Sequence, residues 1–144
     1  MSSLFDSPRF NQSLFYPRRD VSPVPDGAVE LFVAVGDAEV HMRWYRPLSR
    51  RGVSLLLFHG NGEVVADYDS LADRFFDCGV DLAVVDYRGY GRSRGTPTLR
   101  NALEDAPLIV KVAGNTLADV TRLQPLALDM MIAQNGIPIP AAVQ

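Results

Sequence analysis

Residues 91–95 read Gly-Arg-Ser-Arg-Gly, a pattern that surrounds the nucleophilic serine in many enzymes that cleave acyl bonds. A serine hydroxyl becomes a good nucleophile when a base, usually histidine, takes its proton and a carboxylate orients that base. The sequence contains two histidines, His41 and His59, and both come before Ser93. The chain order of serine, acid and histidine that accompanies this kind of turn is therefore not met.

The elements around Ser93 also argue against a nucleophile. A nucleophilic serine of this type sits on a sharp turn that leads directly from a strand into a helix. Ser93 instead lies seven residues beyond Asp86, where the predicted strand ends, and the loop continues through Pro97. We therefore assign no catalytic residue in this chain.

A second set of residues, His59-Gly60-Asn61-Gly62, follows an apolar run and precedes a segment with helical periodicity. A glycine turn between a strand and a helix can direct backbone N–H groups at a negatively charged oxygen. We predict that His59, Gly60, Asn61 and Gly62 form such a turn. The alternative is a connection between strand and helix with no ligand.

The same glycines begin a G-x-G-x-x-G pattern, and Asp86 ends the next strand, where an acid that binds a ribose would lie. The third small residue of that pattern is replaced by Val65, which weakens close packing of helix on strand. Dinucleotide binding is therefore the weaker interpretation.

Composition excludes several other classes of protein. The 144 residues have a net charge of −3, which does not favour a nucleic-acid partner. The Arg18–Arg19 and Arg50–Arg51 pairs are interpreted as solvated loop charges rather than phosphate sites. No run approaches about 20 apolar residues and the start lacks the pattern of a signal peptide, so we expect no membrane contact and a cytoplasmic location.

The remaining reactive side chains have ordinary interpretations. Cys78 is the single cysteine, so no intrachain disulfide can form, and we interpret it as a small buried thiol. His41 is interpreted as a surface histidine or one satisfied by a neighbour. The two histidines lack the spacing of a zinc site, and we expect no bound metal.

The chain divides into three parts: a loosely ordered lead-in over 1–28, a domain over 29–106 and an atypical tail over 107–144. Alternating apolar residues on either side of Gly36–Asp37 predict an antiparallel hairpin. Short apolar runs predict buried strands, and spacing of apolar residues predicts helices. The predicted strands are 29–35, 39–45, 53–58 and 82–85, and the predicted helices are 63–77 and 98–106.

The tail has a different composition from the rest of the chain. All thirteen aromatic residues lie at or before Tyr90. Pro107 is expected to interrupt the helix that begins after the N-cap Thr96 and Pro97. Residues 108–112 are a candidate strand and residues 116–134 a candidate helix.

A hairpin followed by strand, helix, strand and helix predicts an α/β fold, in which antiparallel strands border a parallel sheet. The motifs HGNG and DYRGYGRSRGTP together resemble the amino-terminal half of the α/β-hydrolase superfamily, within its serine-hydrolase branch. The segments SLFYPRRD and EVHMRWYRP are similar to the same branch, so the resemblance runs from about Leu14 to Ala106.

The resemblance implies a serine hydrolase of ester or other acyl bonds that needs no cofactor. It also implies that the backbone N–H of Asn61 contributes to an oxyanion hole. The nucleophile, acid and histidine of this family lie on later strands, so we expect this chain to be truncated or frame-shifted and inactive. The alternative is a non-catalytic α/β interaction domain that associates with itself through an unpaired strand at Leu82–Val85.

Overall fold

The computed structural model describes residues 3–45 and 53–116, with the side chains of 115 and 116 excepted. Their strands form one four-stranded sheet in the order β1-β2-β4-β3. The strands are β1 (Ala28–Val35), β2 (Ala38–Tyr45), β3 (Ser54–Phe58) and β4 (Asp81–Val85), and the helices are α1 (Pro8–Leu14), α2 (Ala72–Asp77) and α3 (Leu99–Thr116). Two 3-10 turns lie at Leu4–Asp6 and Val65–Tyr68. The α/β fold predicted from the sequence is confirmed.

The hairpin is confirmed as predicted. Strands β1 and β2 pair antiparallel, with Val33 opposite Val40. Gly36 occupies the tight turn between them with a positive φ of 56°, a conformation that favours glycine. The alternation of apolar residues therefore specified both the strands and their register.

The prediction that residues 82–85 form the unpaired edge was wrong. Strand β4 lies inside the sheet, antiparallel to β2 and parallel to β3, and all five of its residues are buried. Within the described residues, the edge strands are β1 and β3, and each of them is paired on one side only. The periodicity of a sequence identifies strands, but the crossover that inserts β4 between β2 and β3 is a property of the whole sheet.

The continuous helix predicted over 63–77 was also wrong. The segment divides into the 3-10 turn Val65–Tyr68 and the short helix α2. Between them, the carboxylate of Asp69 accepts hydrogen bonds from Arg43 at 2.8 Å and from the hydroxyl of Tyr45 at 2.5 Å. We attribute the break to these contacts, which hold the backbone against β2.

Helix α3 differs from its prediction at both ends. It begins at Leu99, and Thr98, rather than Thr96, accepts the N–H of Asn101 in the capping position at 3.0 Å. It also continues through Pro107, so residues 108–112 are helical and not a strand. The helix tolerates the proline because one side of it is buried at helical spacing against the sheet, through Leu99, Ala102, Ala106, Ile109 and Ala113.

The lead-in is more ordered than predicted. It contains α1, and Phe15 directly after that helix is buried in the core. The side chain of Asn11, also buried, accepts the first N–H of α3, that of Leu99, at 2.8 Å. Polar side chains thus tie the lead-in to the domain, a kind of contact that composition does not reveal.

Cys78 is exposed, which corrects the expectation of a buried thiol, because α2 ends there at the surface. No helix in the described ranges is long and apolar enough to cross a membrane. The candidate helix 116–134 and most of the predicted tail lie outside the described residues.

Candidate functional site

The turn His59–Gly62 lies at the carboxyl end of β3, beside the loop that begins with Asp86 at the carboxyl end of β4. Parallel strands end at the same edge of a sheet, and ligand sites of α/β proteins form there. The structure therefore brings together the two segments that the sequence analysis singled out.

Asp86 is the polar centre of this edge. It is only 1% exposed, and its Oδ1 lies 3.1 Å from Nε2 of His59 and accepts the N–H of Val65 at 2.9 Å. Its Oδ2 lies 3.1 Å from Nδ1 of His41. Burial raises the pKa of Asp86, but the hydrogen bonds from His41 and His59 outweigh it and lower that pKa to about 2. Asp86 is thus a buried carboxylate that joins two histidines.

This arrangement removes the main support for dinucleotide binding. An acid that binds a ribose must present its oxygens to the ligand. Both oxygens of Asp86 are engaged by the histidines and by Val65. We therefore reject that interpretation.

His41 is buried, which excludes the surface position that the sequence analysis left open, and its neighbours satisfy it. Its two ring nitrogens lie 3.1 Å from Asp86 Oδ2 and 3.0 Å from Glu30 Oε1. Glu30 also accepts hydrogen bonds from Arg43 and Arg92. The alternation of the hairpin placed His41 and Glu30 on one face, but nothing in the sequence indicated that Asp86 would meet them.

Ser93 is fully buried. Its Oγ donates to the backbone carbonyl of Asp86 at 2.8 Å and accepts the backbone N–H of His41 at 2.8 Å. A nucleophile needs a hydroxyl that reaches substrate and a base beside it. The hydroxyl of Ser93 instead joins two backbone segments, as expected for a structural serine.

The carboxylate of Glu63 stabilises the turn by accepting two hydrogen bonds. Its Oε2 accepts the backbone N–H of Gly60 at 2.7 Å and the hydroxyl of Tyr68 at 2.7 Å. Burial and the nearby Glu63 carboxylate raise the pKa of Tyr68, so its hydroxyl stays a donor. Sequence reasoning missed Glu63, although its position three residues after Gly60 is the spacing at which a carboxylate caps the start of a helical turn.

The side chain and the backbone N–H of Asn61 differ in their hydrogen bonding. Its Oδ1 accepts hydrogen bonds from the hydroxyl of Tyr90 at 2.7 Å and from the N–H of Tyr16 at 3.1 Å. Its Nδ2 donates to the carbonyl of Leu14 at 2.6 Å. Its backbone N–H makes no hydrogen bond to any residue in the described ranges. The turn therefore presents one backbone donor that is available to a ligand.

Arg18 and Arg19 of the lead-in make contacts within the molecule. Arg18 pairs with Asp67, and Arg19 donates to the carbonyl of Ser93 at 2.5 Å. Arg50 and Arg51 lie outside the described residues. Within the described ranges, no three His, Cys, Asp or Glu side chains are placed to hold a metal ion.

The profile of the serine aminopeptidase family S33 matches residues 50–122, which include the turn and the loop after β4. The chain belongs to this family. The expectation of α/β-hydrolase membership is thereby confirmed. A search of curated proteins found no match to this sequence.

Solved structures support the fold of this family. An esterase from Pyrococcus furiosus superposes with a TM-score of 0.60 at 16% identity, over 76% of this chain and 46% of that one. An alpha-beta serine hydrolase homologue from Coxiella burnetii gives 0.58 at 15% identity, over 72% and 52%. An alpha-beta hydrolase from Vibrio vulnificus gives 0.54 at 20% identity, over 62% and 31%. The chain spans about half the length of the first two of these relatives.

Proposed function

We propose that the chain supplies the oxyanion-binding part of a serine-hydrolase site that cleaves ester or other acyl bonds. The unpartnered backbone N–H of Asn61 at the carboxyl end of β3 carries this proposal. A donor fixed in such a turn stabilises the negative oxygen that develops when a nucleophile attacks a carbonyl. Removing one such donor from an enzyme costs about 10²- to 10³-fold in rate.

The rest of the catalytic machinery must come from elsewhere. Ser93, His41 and His59 are committed to structural hydrogen bonds, and the sequence contains no further histidine. We infer that the nucleophile, acid and base are supplied by residues other than those in the described ranges. The 144-residue chain by itself should therefore not form an acyl-enzyme.

A fluorophosphonate probe, which labels activated serines, tests this proposal. The recombinant 144-residue chain should remain unlabelled, whereas the product captured from its native cells with an antibody to residues 14–106 should be labelled and larger than 15.8 kDa. Labelling of the short chain that Ser93→Ala abolishes would overturn the assignment of Ser93. A native product near 15.8 kDa that takes no label would overturn the hydrolase proposal.

One observation favours a second candidate, a non-catalytic interaction domain. Within the described residues β3 has one unpaired edge, and Val53 beside it is 39% exposed. An open strand edge is a template for pairing with a second chain. Sedimentation velocity should then show a dimer that Val53→Lys disrupts and Val21→Lys, at an exposed position of the lead-in, does not. A monomer at all concentrations would exclude this candidate.

A further inference from the structure

The side chain of Asn61 is held at both ends by the chain that precedes the sheet. Its Nδ2 donates to Leu14 and its Oδ1 accepts from Tyr16, two residues further along. The N–H of Tyr16 is shared, since it also lies 2.9 Å from the hydroxyl of Tyr90. Asn61, Tyr16 and Tyr90 thus form a closed triangle of hydrogen bonds, which leaves the amide of Asn61 little rotational freedom.

The same segment continues along the turn and the loop after β4. Arg18 donates to the carbonyl of Gly62 at 3.3 Å, and its own carbonyl accepts the N–H of Gly91 at 2.7 Å. Arg19 and Gly91 form a parallel β-bridge. Residues 14–20 therefore lie across both parts of the site, and we call them the strap.

Tyr90 connects the strap to the core. The side chain is fully buried, and its ring packs on that of His59 with centroids 5.3 Å apart. Burial raises the pKa of Tyr90, while hydrogen bonds from the backbone of Tyr16 and Gly62 act in the opposite direction. The hydroxyl contacts both the strap, through the N–H of Tyr16, and the turn, through Oδ1 of Asn61.

We propose that the strap is a positioning element, which acts through the side chain of Asn61 to orient that residue's backbone N–H. Glu63 holds the preceding peptide through the N–H of Gly60, so the two contacts fix the turn on either side of the free donor. This inference deepens the proposed function, on which the oxyanion role of the N–H rests. A displacement of about 1 Å at a reacting centre can lower the rate about 10²-fold. Contacts that fix the position of the Asn61 N–H should therefore affect the reaction rate.

Residue-resolved amide exchange and NMR shifts of the 144-residue chain test the coupling. Asn61→Ala should raise exchange at least tenfold in residues 14–18 and in the turn, and should shift the Asn61 amide resonance. Tyr90→Phe, which removes one oxygen, should affect the same two segments less strongly. Exchange in the short helix α2, which makes no hydrogen bond to the strap or the turn within the described residues, should not change in either variant, because it opens locally without breaking the contacts of Asn61. Exchange in β4, which opens only with the whole domain, should follow the loss of global stability.

Two control variants separate the strap from general packing. Tyr16→Ala keeps the backbone N–H and removes a side chain that is 64% exposed, so both segments should keep their protection. Asn101→Ala, in the first turn of α3, removes an asparagine with only a 3.5 Å contact to Thr96 and should also leave them unchanged.

The outcomes distinguish the strap from the proposed function. Increased exchange in only one of the two segments, or an equal increase in α2, would overturn the strap. If Asn61→Ala does not fold, Tyr90→Phe tests the strap by itself, through increased exchange in both segments. If exchange rises in both segments but the native product takes no fluorophosphonate label, the strap is retained and the hydrolase proposal is rejected. If the native product is labelled but exchange does not rise in both segments, the hydrolase proposal is retained and the strap is rejected.

Discussion

Oδ1 of Asp86 lies 3.1 Å from Nε2 of His59, and this contact joins the end of β4 to the first residue of the turn after β3. The ring of His59 also places its Nδ1 2.9 Å from the carbonyl of Gly60. The turn is therefore anchored to the neighbouring strand at the residue where it begins.

Asp86→Asn should lower the free energy of unfolding by roughly 2–4 kcal/mol, because it removes a buried carboxylate from between two histidines. Urea denaturation of the variant measures the loss. Asp73→Asn, at an exposed position of α2, should change stability by less than about 0.5 kcal/mol. Equal losses in the two variants would show that Asp86 does not anchor the turn.

The contribution of Asp86 should depend on pH. Its pKa in the folded protein is about 2, below the value of about 3.9 expected when unfolded, so protonation favours unfolding. The stability that it provides, about 2 kcal/mol, should be complete above about pH 5 and progressively lost as the pH falls to about 2. Urea denaturation of the wild type and Asp86→Asn between pH 2 and 6 tests this. A difference that grows on acidification would contradict the assignment.

Ser93→Ala should lower the free energy of unfolding by about 1–2 kcal/mol, since it leaves the N–H of His41 without its acceptor. Ser13→Ala offers a matched control, because the hydroxyl of Ser13 is exposed and bonds locally to the carbonyl of Phe10. Thermal denaturation should show a clear decrease for the first variant and almost none for the second. Similar melting temperatures for both variants would show that the hydrogen bonds of Ser93 contribute little to stability.

Gly91→Ala should be strongly destabilising. A Cβ at Gly91 would lie 2.0 Å from Oδ2 of Asp86, and the backbone there has a positive φ of 49°. Gly62→Ala is the control, since φ is 81° but no atom lies within 4 Å, so only the backbone penalty of about 1 kcal/mol applies. The expected order of stability is wild type, Gly62→Ala, then Gly91→Ala. The reverse order of the variants would contradict the close approach.

Pro107→Ala should stabilise the protein by about 1–3 kcal/mol. Pro107 is exposed inside α3, so its removal sacrifices little packing and restores the N–H that a helix interior needs. Greater freedom of the unfolded chain offsets part of the gain. Chemical denaturation against Lys111→Ala, an exposed substitution in the same helix, measures the effect. A loss of stability would indicate that the proline shapes the helix rather than straining it.

Local patterns in the sequence were sufficient for several elements. Alternation around Gly36 predicted the hairpin, and the run at 53–58 predicted β3. Helical periodicity was less reliable, because it predicted one helix over 63–77 and could not show that Asp69 would be held by Arg43 on another strand. Pro107 was misread for a related reason, since packing of the helix against the sheet outweighs a local preference.

In the site, too, some features follow from the local sequence and others only from tertiary packing. The sequence by itself determined the turn His59–Gly62, the loop that follows Asp86 and the unsuitability of Ser93, because glycines, strand ends and residue order are local properties of the chain. Only the tertiary structure decided that Asp86 lies between two histidines, that Asn61 is held by Leu14 and Tyr16, and that β3 rather than β4 lies at an edge of the sheet. These contacts join residues up to 47 positions apart, and no periodicity of the chain encodes such distances.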